Sequence, residues 1–416
     1  MVSDRFMAVG LQTVAILVLA SYLGPSRFGV YAFASSSLAL AIATAGLGLD
    51  QVVVRDLAES SEASTQPLRH ALVLRLFACI TIASALVAYV LSRRHFSLEV
   101  LALLIVMPGL SAIMADTYDL WFQAKLRSKD LAVVRVSVAA AVSLAIIVVA
   151  VIQGPFLAVL WTIPAGGLLL LGTVWWRYRS LNGPLDPFQD WQNAGSMLKV
   201  AWPYAITALA SSVLLKGDQL VLSFLGGRQD VGLYALAAKV SEVLAYVPIA
   251  LAGSFFPIMV RNRIRDTGDY EYQLTSMFRA LFRFGVTAAL TVTLLAGFAV
   301  RLLLGEEFIP AIGIVRLHVW SFPFLALAFG VGKYLVAEKL ASTAIWLMSI
   351  AAVVNIGLNL LLIPLSGPYG AAVASLVSYA WCGYIGLWTL KPLRPLARIV
   401  TASASRKPPI PAVDPK

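Results

Sequence analysis

Apolar runs long enough to cross a membrane recur twelve times along this sequence, and no other feature limits its folding so strongly. The chain has 416 residues, of which 60% are hydrophobic and 13% charged, whereas soluble domains carry about a quarter charged residues. A bilayer core about 30 Å thick needs about 20 apolar residues per helix. The sequence therefore predicts an all-α integral membrane protein with about twelve transmembrane helices, near residues 6–23, 30–49, 70–91, 98–121, 131–152, 156–176, 198–225, 231–257, 278–304, 312–336, 341–363 and 369–390.

The distribution of positive charge predicts how these spans are oriented. Lys and Arg total 32 against 21 Asp and Glu, an excess that in a soluble chain would suggest a nucleic-acid partner. In a membrane protein the same excess follows from the preference of Lys and Arg for cytoplasmic loops, so no nucleic acid is expected. Both termini are predicted to be cytoplasmic, because this orientation leaves six cations on the outer side, Arg27, Arg93, Arg94, Arg228, Arg301 and Arg316.

Short motifs of the first half return in the second half in the same order. The matches pair Ser21–Ala32 with Ser223–Ala235, Arg75 with Arg283, and Gly154-Pro155 with Gly367-Pro368. Two six-span halves would enter the membrane in the same direction, because six is even. Such parallel repeats suit alternating access, with a substrate held between two lobes that rock against each other.

The repeat divides the chain into four predicted regions. Residues 1–176 form an N-terminal six-helix lobe, 177–197 a cytoplasmic linker, and 198–390 a C-terminal six-helix lobe. Residues 391–416 hold six prolines and six Lys or Arg, a composition that cannot build a hydrophobic core. This last region is predicted to be a disordered basic cytoplasmic tail near the lipid headgroups.

Short motifs of small and apolar residues occur at several places in both halves of the chain. In the first half they are Leu23-Gly24-Pro25, Phe28–Tyr31, and Gly46–Asp50 leading to Arg55. In the second half they are Asp218–Leu222, Val231–Ala235, Pro257–Arg261, Asn355–Asn359, Ile363-Pro364 and Gly370–Ala372. Over essentially the whole chain this pattern resembles the Wzx-type polysaccharide flippases of the multidrug, oligosaccharidyl-lipid and polysaccharide exporter superfamily.

The resemblance implies a fold and a function. Members of the superfamily are V-shaped transporters built from two six-helix lobes. The Wzx-type flippases move undecaprenyl-diphosphate-linked oligosaccharides from the inner to the outer leaflet of the bacterial cytoplasmic membrane. The expected partners are therefore the lipid-linked diphosphate glycan, membrane lipids, and components of a glycan polymerase or ligase. No cofactor or metal is expected apart from a coupling ion, H⁺ or Na⁺.

Ionisable residues within spans are the first candidates for substrate and ion binding. A charged side chain at the centre of a membrane costs about 2.5 to 3.5 kcal/mol on insertion scales and is rarely kept without a role. Lys216 and Lys239 are predicted to bind the diphosphate, and Glu242 or Asp218 to exchange the coupling ion. Because Lys239 and Glu242 are three residues apart on one helix face, the alternative is a pair that merely neutralises itself.

A second set of candidates lies toward the predicted cytoplasmic side. Arginine suits bidentate phosphate binding, and five arginines could form an access site for the substrate head, with Arg75 and Arg283 facing each other across the two lobes. The set consists of Arg55, Arg75, Arg135, Arg279 and Arg283, with Asp116 and Asp119 as further ion-coupling candidates. The alternative is that these charges simply follow the positive-inside rule.

Asn355 and Asn359 share a helix face and could line a polar path or bond between helices.

Three other functions compete with a flippase. A glycan polymerase or ligase would carry a long external loop, which this chain lacks, and the sequence around Lys333 does not complete a phosphate-binding loop, so the protein is not expected to be an enzyme. A cation-coupled multidrug exporter of the same superfamily is the main alternative, and a membrane scaffold is the third.

Three histidines, His70, His95 and His318, fall at span ends and are predicted to be solvated or interfacial.

Overall fold

Helices and short turns account for the chain that the computed structural model describes, which is residues 2–59, 65–92, 97–189, 191–265 and 269–404. No β-strand occurs within these residues, and the all-α prediction is confirmed. In chain order the helices are α1 (Val2–Ala45), α2 (Leu49–Glu59), α3 (Gln66–Leu91), α4 (Leu98–Val106), α5 (Ala112–Ala124), α6 (Lys129–Val151), α7 (Phe156–Asn182), α8 (Gly195–Leu225), α9 (Arg228–Arg265), α10 (Asp269–Leu304), α11 (Ala311–His318), α12 (Phe322–Ala337), α13 (Ala341–Ser366), α14 (Pro368–Ala380), α15 (Gly386–Thr389) and α16 (Arg394–Ala404).

Eleven helical segments in the described chain are long and apolar enough to cross a membrane. The first of them, Val9–Ala45, covers both of the first two predicted spans. Gly24 interrupts it with a non-helical φ of 66° and ψ of 168°, and Pro25 follows directly. Proline is favoured at the first position of a helix, because the N–H that it lacks has no partner there. The twelve predicted spans thus correspond to eleven segments, the first divided at Gly24, and the protein crosses the membrane many times.

The fourth span of each predicted half has the same length and the same internal break. Leu98–Ala124 and Ala311–Ala337 are both 27 residues long. Each contains a short 3-10 turn with a nearby proline, Met107–Ser111 with Pro108 and Val319–Ser321 with Pro323. Because proline has no N–H to donate within a helix, it favours such a break. The internal repeat therefore extends from sequence motifs to secondary structure.

The chain divides into two compact units, Met1–Leu220 and Val221–Lys416. The predicted lobes instead place residues 198–225 in the second half. Most of α8 falls in the first unit because it packs there: the Ser36 hydroxyl donates to Gln219 Oε1 at 2.6 Å. The lobe boundaries given by the repeat remain a prediction.

The first unit has an aromatic core beneath α2. Leu49, Val53 and Leu57 are fully buried on one face of this helix. They belong to a cluster that includes the rings of Trp121 and Tyr178, whose centroids are 5.5 Å apart in an edge-to-face arrangement. Helix α2 is therefore an amphipathic segment held against the spans, and it carries Arg55 on its exposed side.

The segment after the last span corrects one prediction. Residues 391–416 are predicted to be disordered, whereas Arg394–Ala404 forms helix α16. Leu393, Leu396 and Val400 are buried in the core of the second unit, in the same cluster as Phe278. These apolar residues recur at helical spacing, and their burial stabilises the helix, although the composition of the whole tail hides the pattern. Residues 405–416 lie outside the described chain.

We predict that Leu396→Asp destabilises the second unit. A carboxylate in this apolar cluster loses both the packing of the leucine and its own hydration, so the expected loss is roughly 3 kcal/mol or more. Arg398→Asp is the matched control, because Arg398 is exposed on the other face of α16. Thermal unfolding of the full chain in detergent measures both variants, and equal melting temperatures would contradict the docking of α16.

Candidate functional site

The turn between α1 and α2 brings together several motif residues of the first half. Leu47 and Gly48 both have left-handed backbone conformations, with φ of 53° and 65°. The backbone of α8 passes directly over Gly48, since a Cβ placed there would lie 2.1 Å from the backbone nitrogen of Ala205. Only glycine fits such a conformation and such a close approach. The Gly46–Asp50 motif is therefore required by packing within the first unit.

Arg75 fixes this turn from α3. Its side chain is fully buried, with 0% exposure, and its Nη2 lies 2.5 Å from Oδ1 of Asp50. Nε and Nη2 also donate to the carbonyl oxygen of Gly46, at 3.3 and 3.2 Å, and Nη1 donates to Thr117 Oγ1 at 2.8 Å. The guanidinium thus joins the α1–α2 turn to α3 and α5. In this conformation most of its donors are already used, and phosphate binding by Arg75 stays a prediction.

We predict that Gly48→Ala disrupts the first unit. The new Cβ would overlap the α8 backbone, which cannot move as a flexible side chain does, and the left-handed φ adds strain, so a loss of about 3 kcal/mol is expected. Gly172→Ala on α7 is the control, since nothing lies within 4 Å of the added Cβ. Thermal unfolding should separate the two variants, and a Gly48→Ala protein as stable as the control would refute the close approach.

Arg135 and the two predicted ion-coupling aspartates form one cluster between α5 and α6. Nη2 of Arg135 lies 2.6 Å from Oδ2 of Asp119 and 3.4 Å from Oδ1 of Asp116. Gln123 Nε2 also donates to Asp119 Oδ2, at 2.8 Å. A cation that bound the aspartates would compete with the arginine, and a phosphate that bound the arginine would compete with the aspartates. In this geometry the arginine and both aspartates are already paired, and the separate binding roles stay predictions.

The remaining candidates of the first unit lie on α2 and α8. Arg55 is half-exposed and pairs with its neighbour Asp56 at 2.8 Å. The hydrogen bond from Arg55 and the charge of Asp56 raise the pKa of the guanidinium above its ordinary value. Lys216 is half-buried and Asp218 is buried, both in the last third of α8. The structure places Arg55 on one helix and the other two candidates together on another, and their roles stay predictions.

Lys239 and Glu242 form an ion pair within α9 of the second unit. Nζ of Lys239 lies 3.3 Å from Oε2 of Glu242, and the two side chains are 35% and 24% exposed. Lys239 lies eleven residues after Arg228, the first residue of α9, which is roughly 16 Å along the helix at 1.5 Å per residue. The helix-face prediction for this pair is therefore confirmed, whereas its role is not decided by geometry alone.

A buried histidine lies next to this ion pair. His318 Nδ1 is 3.0 Å from the Ser241 hydroxyl, and the His318 ring packs edge-to-face on Tyr234, with centroids 5.5 Å apart. The Tyr234 hydroxyl in turn bonds Ser375 Oγ at 2.8 Å. Because His318 is buried, the prediction of a solvated or interfacial histidine is wrong for this residue. The likewise buried His70 corrects the same prediction, while His95 lies outside the described chain.

These residues define a polar cluster inside the second unit: Tyr234, Lys239, Ser241, Glu242, His318 and Ser375. Glu242 directly follows Ser241 in the chain, and its carboxylate pairs with the ammonium of Lys239. An acid, a base and a cation in one place among apolar helices can hold or release a proton. In the sequence, His318 lies inside an apolar run and not at its edge, and this position indicates that the side chain is buried.

Four predicted residues of the second unit lie apart from this cluster. Arg279 Nε donates to the carbonyl oxygen of Ser403 at 3.4 Å, near the end of α16, where a cation complements the helix dipole. Arg283 is exposed on α10, unlike its buried repeat counterpart Arg75. Asn355 and Asn359 are fully buried, and Asn359 Nδ2 donates to both oxygens of Asn355, at 2.9 Å for the carbonyl and 3.1 Å for the side chain.

Solved structures of membrane transporters share this fold. A structure described as the lipid II flippase MurJ, in an inward closed conformation, matches with a TM-score of 0.75 and 15% identity, covering 97% of this chain and 91% of the other. An inward-facing multidrug resistance MATE family transporter of the MOP superfamily matches with a TM-score of 0.74 and 12% identity, covering 95% and 96%. A MOP superfamily transporter from Pyrococcus furiosus matches with a TM-score of 0.67 and 13% identity, covering 97% and 95%. The fold is that of MOP superfamily transporters.

The sequence itself identifies the family. The family described as polysaccharide biosynthesis protein (Polysacc_synt) matches residues 5–263, well over half of the chain. The protein belongs to this family, as its resemblance to the Wzx-type flippases predicts. No curated protein matches the chain in sequence.

Proposed function

We propose that the protein is a flippase that moves an undecaprenyl-diphosphate-linked oligosaccharide from the inner to the outer leaflet of the bacterial cytoplasmic membrane. Its family of polysaccharide biosynthesis proteins and its transporter fold support the flippase class. The observation that carries the substrate proposal is Lys239, a half-exposed cation well inside α9. A diphosphate head needs such a cation to cross the hydrocarbon layer, whereas a cationic drug would be repelled by it.

The polar cluster of the second unit would couple this movement to an ion gradient by alternating access. Lys239 releases Glu242 when it binds a phosphate oxygen, because one ammonium cannot hold both anions equally well. After the substrate has left on the outer side, the freed carboxylate takes up H⁺ or Na⁺ from that side. The ion is released on the inner side as the Lys239–Glu242 pair re-forms, so it moves in the direction opposite to the substrate. Lys216 and Asp218 on α8 are proposed for the same two roles in the first unit.

The cytoplasmic side of each unit would supply an access site for the substrate head. Both termini are cytoplasmic in this proposal, as the charge count predicts. The exposed side of α2 then presents Arg55, and α10 presents Arg283. Each can offer paired N–H donors to a phosphate, and glycan polymerase or ligase components would receive the product on the other side.

The proposal is tested by the choice of substrate in proteoliposomes that contain the full chain. A short glycolipid with a diphosphate linkage, the same glycolipid with a neutral linkage, and a cationic dye are compared. We expect the diphosphate lipid to reach the opposite leaflet at least about tenfold faster than in protein-free vesicles, and the neutral lipid to gain little. Expulsion of the dye without movement of either lipid would assign the protein to the multidrug exporters instead.

A further inference from the structure

A cavity of about 620 Å³ opens between α10 and α11 of the second unit. Four apolar side chains and two arginines line it: Leu294, Phe298, Leu302, Ile312, Arg301 and Arg316. Leu294 and Phe298 are 77% and 68% exposed, as expected of side chains that contact lipid tails. The two arginines interrupt this apolar surface, and neither belongs to the polar cluster or to the proposed access site.

The two arginines lie close to the loop that connects α10 to α11. Arg301 precedes the last residue of α10, Leu304, by three positions, and Arg316 follows the first residue of α11, Ala311, by five. At 1.5 Å per residue, the two positions lie roughly 5 and 8 Å along their helices from the ends. Both cations therefore lie near the ends of two apolar segments, where a bilayer would place its headgroup region.

The geometry holds Arg316 in the cavity instead of letting it extend to water. Its Nε donates to the carbonyl oxygen of Thr293 at 3.1 Å, and Thr293 lies eleven residues before the end of α10. Gly297 lies beside the guanidinium: a Cβ placed on it would be 3.5 Å from Arg316 Nη2, in ordinary contact, and a larger side chain there would meet the guanidinium. A long basic side chain near a helix end would otherwise direct its charge toward the interface.

The two cations have no anionic partner among the described residues. Neither Arg301 nor Arg316 forms an ion pair with a carboxylate of that part of the chain. The nearest acidic residues in sequence, Glu306 and Glu307, are exposed in the loop beyond α10. Two guanidiniums beside lipid tails are costly without a counter-ion, so an external anion with an apolar body fits this cavity.

We propose that the cavity binds the phosphate headgroup of an anionic phospholipid, with an acyl chain lying along Phe298 and Leu294. Arg301 and Arg316 bind the phosphate by charge-assisted hydrogen bonds, and the apolar lining favours a lipid over a soluble phosphate. In the predicted orientation the lipid belongs to the outer leaflet. This inference depends on the membrane-spanning fold and not on the flippase proposal, because it concerns a different ligand on a different surface.

Native mass spectrometry of the full chain in mild detergent tests the site. The probes are phosphatidylglycerol and phosphatidylcholine with identical acyl chains, with inorganic diphosphate as a soluble competitor. We expect phosphatidylglycerol to bind about tenfold more tightly than phosphatidylcholine, and Arg316→Gln and Arg301→Gln each to weaken it by about tenfold. Arg228→Gln is the control, because Arg228 is an exposed arginine on the same predicted side but outside the cavity.

Two further variants keep the test decisive if an arginine variant fails to fold. Gly297→Leu fills the space beside Arg316 but keeps both charges, and it should reduce binding as strongly as the loss of an arginine. Arg316→Lys keeps a charge but loses the bidentate geometry, so an intermediate affinity is expected. Equal binding of the two lipids, binding unchanged in Gly297→Leu, or displacement of phosphatidylglycerol by millimolar inorganic diphosphate would each overturn the proposal.

Discussion

Replacing Lys239 with methionine is expected to reduce translocation of a diphosphate-linked glycolipid by roughly ten- to a hundredfold. The physical reason is the loss of one charge-assisted hydrogen bond to phosphate, worth about 1.5 to 3 kcal/mol. The variant also leaves Glu242, which is only 24% exposed, without its cation. The measurement is the initial rate at which the lipid becomes accessible on the opposite leaflet of proteoliposomes. Lys333→Met is the control, since that lysine lies over the ring of Phe256 at 5.4 Å and is given no role in transport.

A double variant separates substrate binding from self-neutralisation of the pair. If Lys239 and Glu242 only neutralise each other, Lys239→Met combined with Glu242→Met removes both charges and should restore the lost activity. If Lys239 binds the diphosphate, the double variant should remain as slow as Lys239→Met alone. Recovery of the wild-type rate would therefore refute the substrate-binding role of this lysine and leave the pair with a structural one.

Arg75→Gln is expected to produce the largest loss of stability in the first unit, roughly 3 kcal/mol or more. The glutamine cannot reach Asp50, the Gly46 carbonyl and Thr117 together, and the buried groups that lose their donor are not solvated. Arg75→Lys should recover only part of the loss, because an ammonium lacks the planar set of donors. Thermal unfolding and the yield of monodisperse protein are the measurements.

Arg55→Gln is the control for Arg75, because Arg55 is 51% exposed and its ion pair within the described chain is with its neighbour Asp56. Its unfolding temperature should stay close to that of the wild-type protein. An Arg75→Gln protein as stable as Arg55→Gln would contradict the positioning role. If that stable protein had also lost its affinity for diphosphate lipid, the sequence-based prediction of direct phosphate binding by Arg75 would be supported instead.

The transmembrane spans could be predicted from the sequence because the length and the hydropathy of each apolar run both follow from the need to cross the hydrocarbon core of the membrane. The prediction for residues 131–152 differs from helix α6, Lys129–Val151, by only two residues at one end and one at the other. Gly24-Pro25 was also located correctly as a break between spans. What the sequence could not show is that the two helices abut at Gly24 without a loop, because this depends on the backbone angles of one residue.

Composition averaged over the whole tail does not reveal helix α16. Six prolines in residues 391–416 conceal an apolar face of Leu393, Leu396 and Val400. A search for helical spacing in residues 393–404 alone finds this face. A short amphipathic helix is therefore easiest to recognise when the hydrophobic pattern is read over a segment about as long as the helix itself.

Partners close in sequence could be predicted, whereas distant partners could not. Lys239 and Glu242 are three residues apart, and one helix turn fixes their contact. Arg75 and Asp50 lie 25 residues apart, and Ser241 and His318 lie 77 apart, so only the packing of helices brings them together. The sequence therefore predicts phosphate binding by Arg75, which already pairs with a carboxylate, and an interfacial position for His318, which is buried.

A leaflet assay with an imposed ion gradient tests the central claim most directly. Proteoliposomes containing a short diphosphate-linked glycolipid are prepared with wild-type protein, Lys216→Ala or Lys239→Ala, and a pH or sodium gradient is applied or omitted. The flippase proposal predicts that the wild-type protein exposes the lipid faster with the gradient than without it. It also predicts that both lysine variants abolish this exposure. Failure to expose any diphosphate lipid, together with gradient-driven expulsion of a cationic dye, would contradict it.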